Sequence, residues 1–183
     1  HYNYWSLLSL KNFFEKFDSC IYRAEKIDTH GGSLRVYIKK GKKNKIENSV
    51  GKILKEEKKF GIDKFETYKK FGKKIVQIRK NVIKNIRDLK KQNKKIIGYG
   101  APAKATTALN FYGVSDEIDF IVEDNKLKHN KIIPGVNIPI KDKSNVVKKD
   151  NIVIVLAWNF FDEIKKNNTN LSNNFVNIKS LEN

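Results

Sequence analysis

The fold of this chain is decided by Ile96-Ile97-Gly98-Tyr99-Gly100-Ala101-Pro102-Ala103-Lys104. Two β-branched residues lead into Gly98-x-Gly100-x-x-Ala103, and residues 105–109 continue at helical spacing. This order is typical of a strand, a tight glycine turn and a helix N-terminus, which together can present backbone N–H groups to an anion. Pro102 suits the first helical turn, because its missing N–H is not needed there. The pattern predicts a Rossmann-like unit, kept either as a nucleotide or phosphate site or for its packing alone.

Two further apolar runs predict neighbouring strands of the same sheet. Residues 118–122 end at Glu123-Asp124, the position at which a dinucleotide-binding unit keeps its ribose-binding carboxylate. Residues 152–156 are wholly apolar, as in a strand inside a parallel sheet, and lead into Trp158-Asn159. Ligands of open α/β sheets bind beyond the carboxyl ends of the strands. We therefore expect residues 98–104, residues 123–128 and Trp158-Asn159 to lie along one edge.

The residues before this sheet predict a helix, a strand, a turn and a strand over 1–40, and then one long amphipathic helix. The apolar stripe of the long helix, which we expect to pack on its own domain, consists of Phe65, Tyr68, Phe71, Ile75, Ile78, Val82, Ile86 and Leu89. The predicted fold class is α/β, with a Rossmann-like parallel sheet domain preceded by this helix.

The charge of the chain is concentrated in one segment. Residues 39–95 hold 22 Lys and Arg against 6 Asp and Glu, which is +16 of the net charge of +18. The whole chain has 34 Lys but 4 Arg, whereas base recognition and bidentate phosphate recognition favour Arg. The lysines occupy the polar faces of the predicted helix, so we expect a solvated surface and no specific nucleic-acid partner.

Other features of the sequence indicate the cellular compartment. No run approaches the ~20 apolar residues of a membrane span, so no membrane partner is expected. The single cysteine, Cys20, excludes an internal disulfide and fits a reducing cytoplasm. The chain has no initiator methionine, and residue 1 reads as mid-domain. We expect a fragment of a longer cytoplasmic protein, whose oligomeric state the sequence leaves open.

One histidine stands out as a candidate for proton transfer. His30 precedes two glycines and a serine at a turn between predicted strands, where a side chain can be aimed into a cleft. Imidazole has an ordinary pKa of about 6.5, which suits a base at neutral pH. No nucleophile–base–acid pattern and no metal-ligand spacing accompany it, so a hydrogen-bonded turn histidine is the competing interpretation.

Several motifs together resemble one family, the S-adenosylmethionine-dependent sugar C-methyltransferases that act on nucleotide-linked keto-sugars. The resemblance lies in their C-terminal region, and it holds in the right order over nearly all of the chain. The opening residues 1–6 are similar to a Tyr-His-Glu-His-x-x-Tyr-x-Ser segment of that family. The other matching segments are residues 30–37, residues 98–104, Pro134-Gly135-x-x-Ile138-Pro139 and Leu156-Ala157-Trp158-Asn159.

The resemblance implies a domain organisation. Family members are similar in having a cysteine-ligated zinc domain, a central S-adenosylmethionine domain and a C-terminal Rossmann-like domain. Residues 1–40 would be the terminal helix and β-hairpin of the central class I methyltransferase domain, 41–93 a basic helical connector and 94–183 the C-terminal domain. The zinc domain and the glycine-rich cofactor loop have no counterpart in the 183 residues. The resemblance thus implies that S-adenosylmethionine and zinc are held by the missing part, without which this fragment is inactive.

The resemblance also implies a set of functional residues. His30 lies at the position of the family's base, and Gly31, Gly32 and Ser33 would offer backbone or hydroxyl donors to the substrate. The other substrate-binding positions are Gly98, Tyr99, Gly100, Ala101, Pro102, Ala103, Lys104, Trp158 and Asn159. Residues 98–104 would hold the nucleotide diphosphate or form the wall against it.

The chain departs from the family pattern near His30. Some members place a tyrosine three residues before the histidine and a glutamate just before it, where this chain has Ile27 and Thr29. Two other interpretations therefore stay open. One is a non-catalytic Rossmann-like module that binds a nucleotide or nucleotide-sugar, and the other is a lysine-rich adaptor for nucleic acid or an anionic membrane.

Overall fold

The structure, a computed structural model, describes residues 3–41, 45–147 and 150–183, and the side chain of His30 lies outside the described part. The chain divides into two compact units, residues 1–73 and residues 74–183. Within the described residues no helix is long and apolar enough to cross a membrane.

The first unit is built on an antiparallel β-hairpin. Its elements are α1 (Leu7–Glu15), β1 (Ser19–Ile27), β2 (Ser33–Lys40), α2 (Asn48–Phe60) and the start of α3 (Phe65–Lys90). The Glu57 carboxylate on α2 accepts hydrogen bonds from the N–H groups of Leu7 and Leu8, at 2.6 and 2.9 Å. Because the first N–H groups of a helix have no intrahelical partner, this carboxylate caps α1 and joins the two helices. A small core lies between helices and hairpin, formed by Leu7, Ile21, Ala24, Val50 and Ile53.

The second unit is a five-stranded parallel sheet with the strand order β5-β4-β3-β6-β7. Its strands are β3 (Ile96–Tyr99), β4 (Phe120–Val122), β5 (Ile140–Lys141), β6 (Ile152–Val155) and β7 (Asn174–Asn177), and its helices are the rest of α3, α4 (Ala103–Tyr112) and α5 (Phe161–Asn167). The central strands β3, β4 and β6 are buried throughout, as expected of a sheet covered on both faces. This order is that of a Rossmann-like fold, so the predicted fold class is confirmed.

The long helix α3 differs from the prediction in one respect. Val82 and Ile86 are fully buried against the sheet, but Phe65, Tyr68 and Phe71 are 77%, 53% and 61% exposed. The expectation that the whole stripe packs on its own domain is therefore wrong for its first two turns. A helix of 26 residues is about 39 Å long, whereas a strand of four residues covers only about 13 Å, so strands of this length are too short to cover the whole stripe.

Candidate functional site

The carboxyl ends of β3, β4 and β6 meet at one edge of the sheet and surround a cavity of about 510 Å³. The turn after β3, the acidic pair after β4 and the residues after β6 were expected at this edge, and the structure brings them together there. The cavity is lined by Tyr99, Gly100, Pro102, Glu123, Asp124, Lys128, Lys143, Ala157, Phe160, Glu163, Ile164, Asn167 and Asn168. Its volume lies in the range of small-molecule sites.

The two glycines of the turn are required by the packing around them. A Cβ on Gly98 would lie 2.7 Å from Cγ1 of Ile121, and both residues are buried inside the sheet. Gly100 has φ +88°, and its Cβ would lie 2.9 Å from that of Ala157. Gly100 borders the cavity, while Gly98 faces the core, so close packing accounts for Gly98 without a ligand.

Glu123, the residue after β4, forms a hydrogen bond to the turn that follows β3. Its Oε2 accepts a 2.7 Å hydrogen bond from the Ala101 N–H, and its Oε1 accepts a 3.0 Å bond from the Asn125 N–H. The Lys128 ammonium lies 3.5 Å from Oε2 and donates to the Ala101 carbonyl at 2.9 Å. Burial raises the pKa of Glu123, but the two N–H donors and Lys128 outweigh it and hold this pKa below its usual value. The carboxylate is thus ionised at neutral pH.

Asp124 belongs to a second polar group on the cavity wall. The Tyr99 hydroxyl donates to Oδ2 of Asp124 at 2.9 Å and lies 3.2 Å from Oδ1 of Asn168. The Lys143 ammonium pairs with Asp124 at 2.7 Å and lies 5.5 Å from the centroid of the Tyr99 ring. Burial raises the pKa of Asp124, but the hydrogen bonds from Lys143 and Tyr99 outweigh it and hold this pKa below its ordinary value. These contacts hold Tyr99, Asp124 and Lys143 together on the wall of the cavity.

The remaining residues of the turn lead into α4 and a neighbouring aromatic side chain. Pro102 precedes the first residue of α4 and lines the cavity, whereas Ala103 and Lys104 are exposed in the first helical turn. The Lys104 ammonium lies 5.5 Å from the ring centroid of Trp158, within cation–π range. Asn159, beside this tryptophan, is exposed. The structure therefore joins Lys104 and Trp158 in one charged aromatic patch.

The second predicted group of site residues lies in the first unit, at the turn between β1 and β2. The backbone of His30 lies in a 3₁₀ turn over Thr29–Gly31, and Gly31 and Gly32 have φ of +86° and +114°. The Gly32 N–H donates to the Thr29 carbonyl at 3.1 Å, and the Ser33 hydroxyl donates to the same carbonyl at 2.9 Å. The Gly31 N–H donates to the Asp28 carbonyl at 3.3 Å. The donors expected to face the substrate thus stabilise the turn itself.

Some cavity residues escaped the sequence analysis. Lys143 follows the short strand β5, so the rule on strand ends could have found it, but a strand of two residues gives little periodic signal. Phe160, Glu163 and Asn168 come from α5 and its ends, and their spacing resembled that of any surface helix. Among the residues that the structure describes, no three His, Cys, Asp or Glu side chains are grouped to hold a metal ion. His1 and Tyr2, part of the matched opening segment, lie outside the described residues.

Comparison with known proteins identifies the family. A family model described as the C-methyltransferase C-terminal domain matches residues 28–177, which include both the His30 turn and the sheet with its cavity. The chain is 31% identical over 170 residues to the C-methyltransferase NovU of Streptomyces niveus, covering 91% of this chain and 40% of that protein. The chain thus spans less than half the length of this relative. Since the family model covers most of its residues, the chain belongs to the family of C-methyltransferase C-terminal domains.

Proposed function

We propose that this chain is the C-terminal part of an S-adenosylmethionine-dependent C-methyltransferase that acts on a nucleotide-linked keto-sugar. The observation that carries the proposal is the family match over residues 28–177, because it spans the His30 turn and the Rossmann-like unit together. The relative NovU, itself named a C-methyltransferase, supports the reaction class. The keto-sugar substrate comes from the resemblance of the sequence motifs.

The proposed chemistry begins with removal of a proton from the carbon beside the ketone. His30 accepts this proton, and the electron pair of the broken C–H bond is delocalised onto the ketone oxygen as an enolate. Nearby hydrogen-bond donors that stabilise this oxygen lower the barrier. The enolate carbon would then form a bond to the methyl group that S-adenosylmethionine supplies, while the methyl–sulfur bond breaks with its electron pair on sulfur and S-adenosylhomocysteine leaves. A positioned base of this kind contributes about 10²–10⁴ in rate.

The described residues of this chain do not fit S-adenosylmethionine. The glycine turn after β3 is the part that most resembles a cofactor-binding loop, and its own protein occupies it. Core side chains pack against Gly98, and the Ala101 N–H donates to the Glu123 carboxylate. The proposal therefore assigns this cofactor, and any zinc ion, to the rest of the complete protein. This chain is proposed to supply His30 and a surface for the nucleotide-linked sugar, built from residues 98–104 and Trp158-Asn159.

The test is methyl transfer by the complete protein expressed from the reading frame that contains this chain. Incubation with methyl-labelled S-adenosylmethionine and a panel of nucleotide-linked keto-sugars should put the label on a carbon next to the ketone. Residues 1–183 alone should transfer no methyl group and should not bind S-adenosylmethionine in a calorimetric titration. Micromolar binding by the isolated chain, or a label found on oxygen or nitrogen, would contradict the proposal.

A second candidate is a Rossmann-like module that binds a nucleotide-sugar without chemistry. The cavity of about 510 Å³ at the carboxyl edge of the sheet favours it, since this cavity is formed within residues 74–183. The two candidates differ in one result. A complete protein that binds the keto-sugar but leaves the proton next to the ketone in place is a binding module. We further propose a cytoplasmic location, and no specific nucleic-acid or membrane partner.

A further inference from the structure

The glycine turn of this chain leaves no backbone donor for a phosphate at residues 100–102. Gly100 and Pro102 line the cavity, and Ala101 lies buried between them. The Gly100 N–H donates to the Val122 carbonyl at 2.8 Å. Pro102 has no N–H, and the Ala101 N–H is bonded to the Glu123 carboxylate at 2.7 Å. Neither residue is left with a donor for a bound anion.

Glu123 is fixed in this position by several contacts at once. Both carboxylate oxygens accept backbone N–H groups, from Ala101 and Asn125, and Lys128 pairs with the carboxylate while donating to the Ala101 carbonyl. The side chain is only 13% exposed. Hydrogen bonds to an ionised acceptor are among the strongest in proteins, so a phosphate would have to displace a held, charged group.

The other charges on the cavity wall act in the same direction. Three carboxylates, those of Glu123, Asp124 and Glu163, face the cavity with two ammonium groups, those of Lys128 and Lys143. Both ammonium groups are already paired with these carboxylates. Carboxylate and amide oxygens accept hydrogen bonds from hydroxyl groups but repel the oxygens of a phosphate.

We propose that Glu123 acts as a built-in anion that excludes phosphate from the glycine turn, so that the cavity admits only an uncharged, hydroxyl-bearing part of its ligand. The proposal rests on the proposed function and deepens it, because a nucleotide-linked sugar has both kinds of part. Its ribose or sugar ring can enter the cavity. Its diphosphate stays outside the cavity and is not bound by the backbone amides of residues 100–104.

The experiment records backbone amide shifts of ¹⁵N-labelled residues 1–183 with two probes, uridine and inorganic pyrophosphate. Uridine should shift the amides around the cavity, whereas pyrophosphate should leave those of residues 100–104 unchanged. Glu123→Ala removes the internal anion and frees the Ala101 N–H, so pyrophosphate should then shift these amides with an affinity at least about tenfold higher. Glu66→Ala makes the same change in net charge at a side chain that is 67% exposed, and should gain nothing at the turn.

A third variant keeps the result interpretable. Glu123→Gln retains one accepting oxygen for the turn without the charge, so it should gain less than Glu123→Ala. Saturable shifts at residues 100–104 with pyrophosphate in the wild type would overturn the proposal. So would a folded Glu123→Ala protein without any gain, or uridine leaving the cavity unchanged. If these results hold but the complete protein methylates no keto-sugar, only the proposed function fails.

Discussion

The two glycine turns of this chain use the same residue type for different physical reasons. Among the described residues, no atom would lie within 4 Å of a Cβ on Gly31 or Gly32, and both glycines have positive φ, so backbone conformation requires them. Gly98 has an ordinary φ but no room for a Cβ, since Ile121 would lie 2.7 Å away. The first turn therefore has free space beside its backbone, while the second is filled by its own protein.

In the proposed function, the first turn carries the chemistry and the second has a supporting role. In the hairpin turn, the N–H groups of the glycines donate to carbonyls of the turn itself, and the described residues leave space beside these glycines. In the turn after β3, the Ala101 N–H donates to Glu123, and the turn packs against the core. A glycine fingerprint in a sequence does not distinguish these cases.

The largest effect that the comparison predicts is on turnover. In the complete protein, His30→Gln should lower kcat by about 10²–10⁴, because the variant lacks a base, while KM for the keto-sugar changes little. His129→Gln is the matched control, since this histidine lies near the other turn and bonds the Glu123 carbonyl at 2.7 Å. Steady-state kinetics of both variants check this. Equal losses in the two proteins would break the comparison.

A smaller effect is expected on stability. Gly98→Ala should lower the free energy of unfolding of the second unit by about 1–3 kcal/mol, because the new methyl group overpacks the core at Ile121. Urea denaturation followed by Trp158 fluorescence in a Trp5→Phe background measures this unit. Gly72→Ala is a control in the first unit, followed by Trp5 fluorescence in a Trp158→Phe background. A Cβ there meets no described atom within 4 Å on the exposed side of α3, so this variant should stabilise its unit by about 0.4–1 kcal/mol. A neutral Gly98→Ala would show that the turn is not filled.

The first turn should respond differently to the same substitution. Gly32→Ala introduces no clash, and its cost is the strain of an L-residue at φ +114°, about 1 kcal/mol. Trp5 fluorescence in a Trp158→Phe background reports this unit during urea denaturation. A loss larger than that of Gly98→Ala would mean that the space beside Gly32 is less open than the structure shows.

The smallest effect is a pH dependence at the second turn. The pKa of Glu123 is lowered in the folded protein, so its contribution to stability is present above its unfolded pKa and is lost as the pH falls through the folded one. Glu123→Gln should therefore reduce stability at neutral pH, and its difference from the wild type should shrink on acidification below about pH 4.5. Denaturation at several pH values tests this. If the difference in stability between Glu123→Gln and the wild type did not depend on pH, the charge of Glu123 would not be its cause.

Much of the fold followed from local patterns in the sequence. Gly61 and Gly113 end α2 and α4 in the left-handed conformation, and the apolar run of β6 predicted a central strand. The bonds that define the cavity were not predictable in this way. Glu123 was interpreted as a ribose ligand, but it bonds Ala101, 22 residues away. Such a contact depends on strand order and register, which a local pattern does not contain.

The expected role of His30 depends on one proton, so the most direct measurement follows that proton. The complete wild-type protein, incubated with the keto-sugar in D₂O, should exchange the hydrogen on the carbon that becomes methylated, and mass spectrometry or NMR detects the deuterium. A folded His30→Gln protein should bind the keto-sugar but leave this hydrogen in place. Full deuterium exchange with near-normal turnover in that variant would contradict the account, because the base would then be another residue.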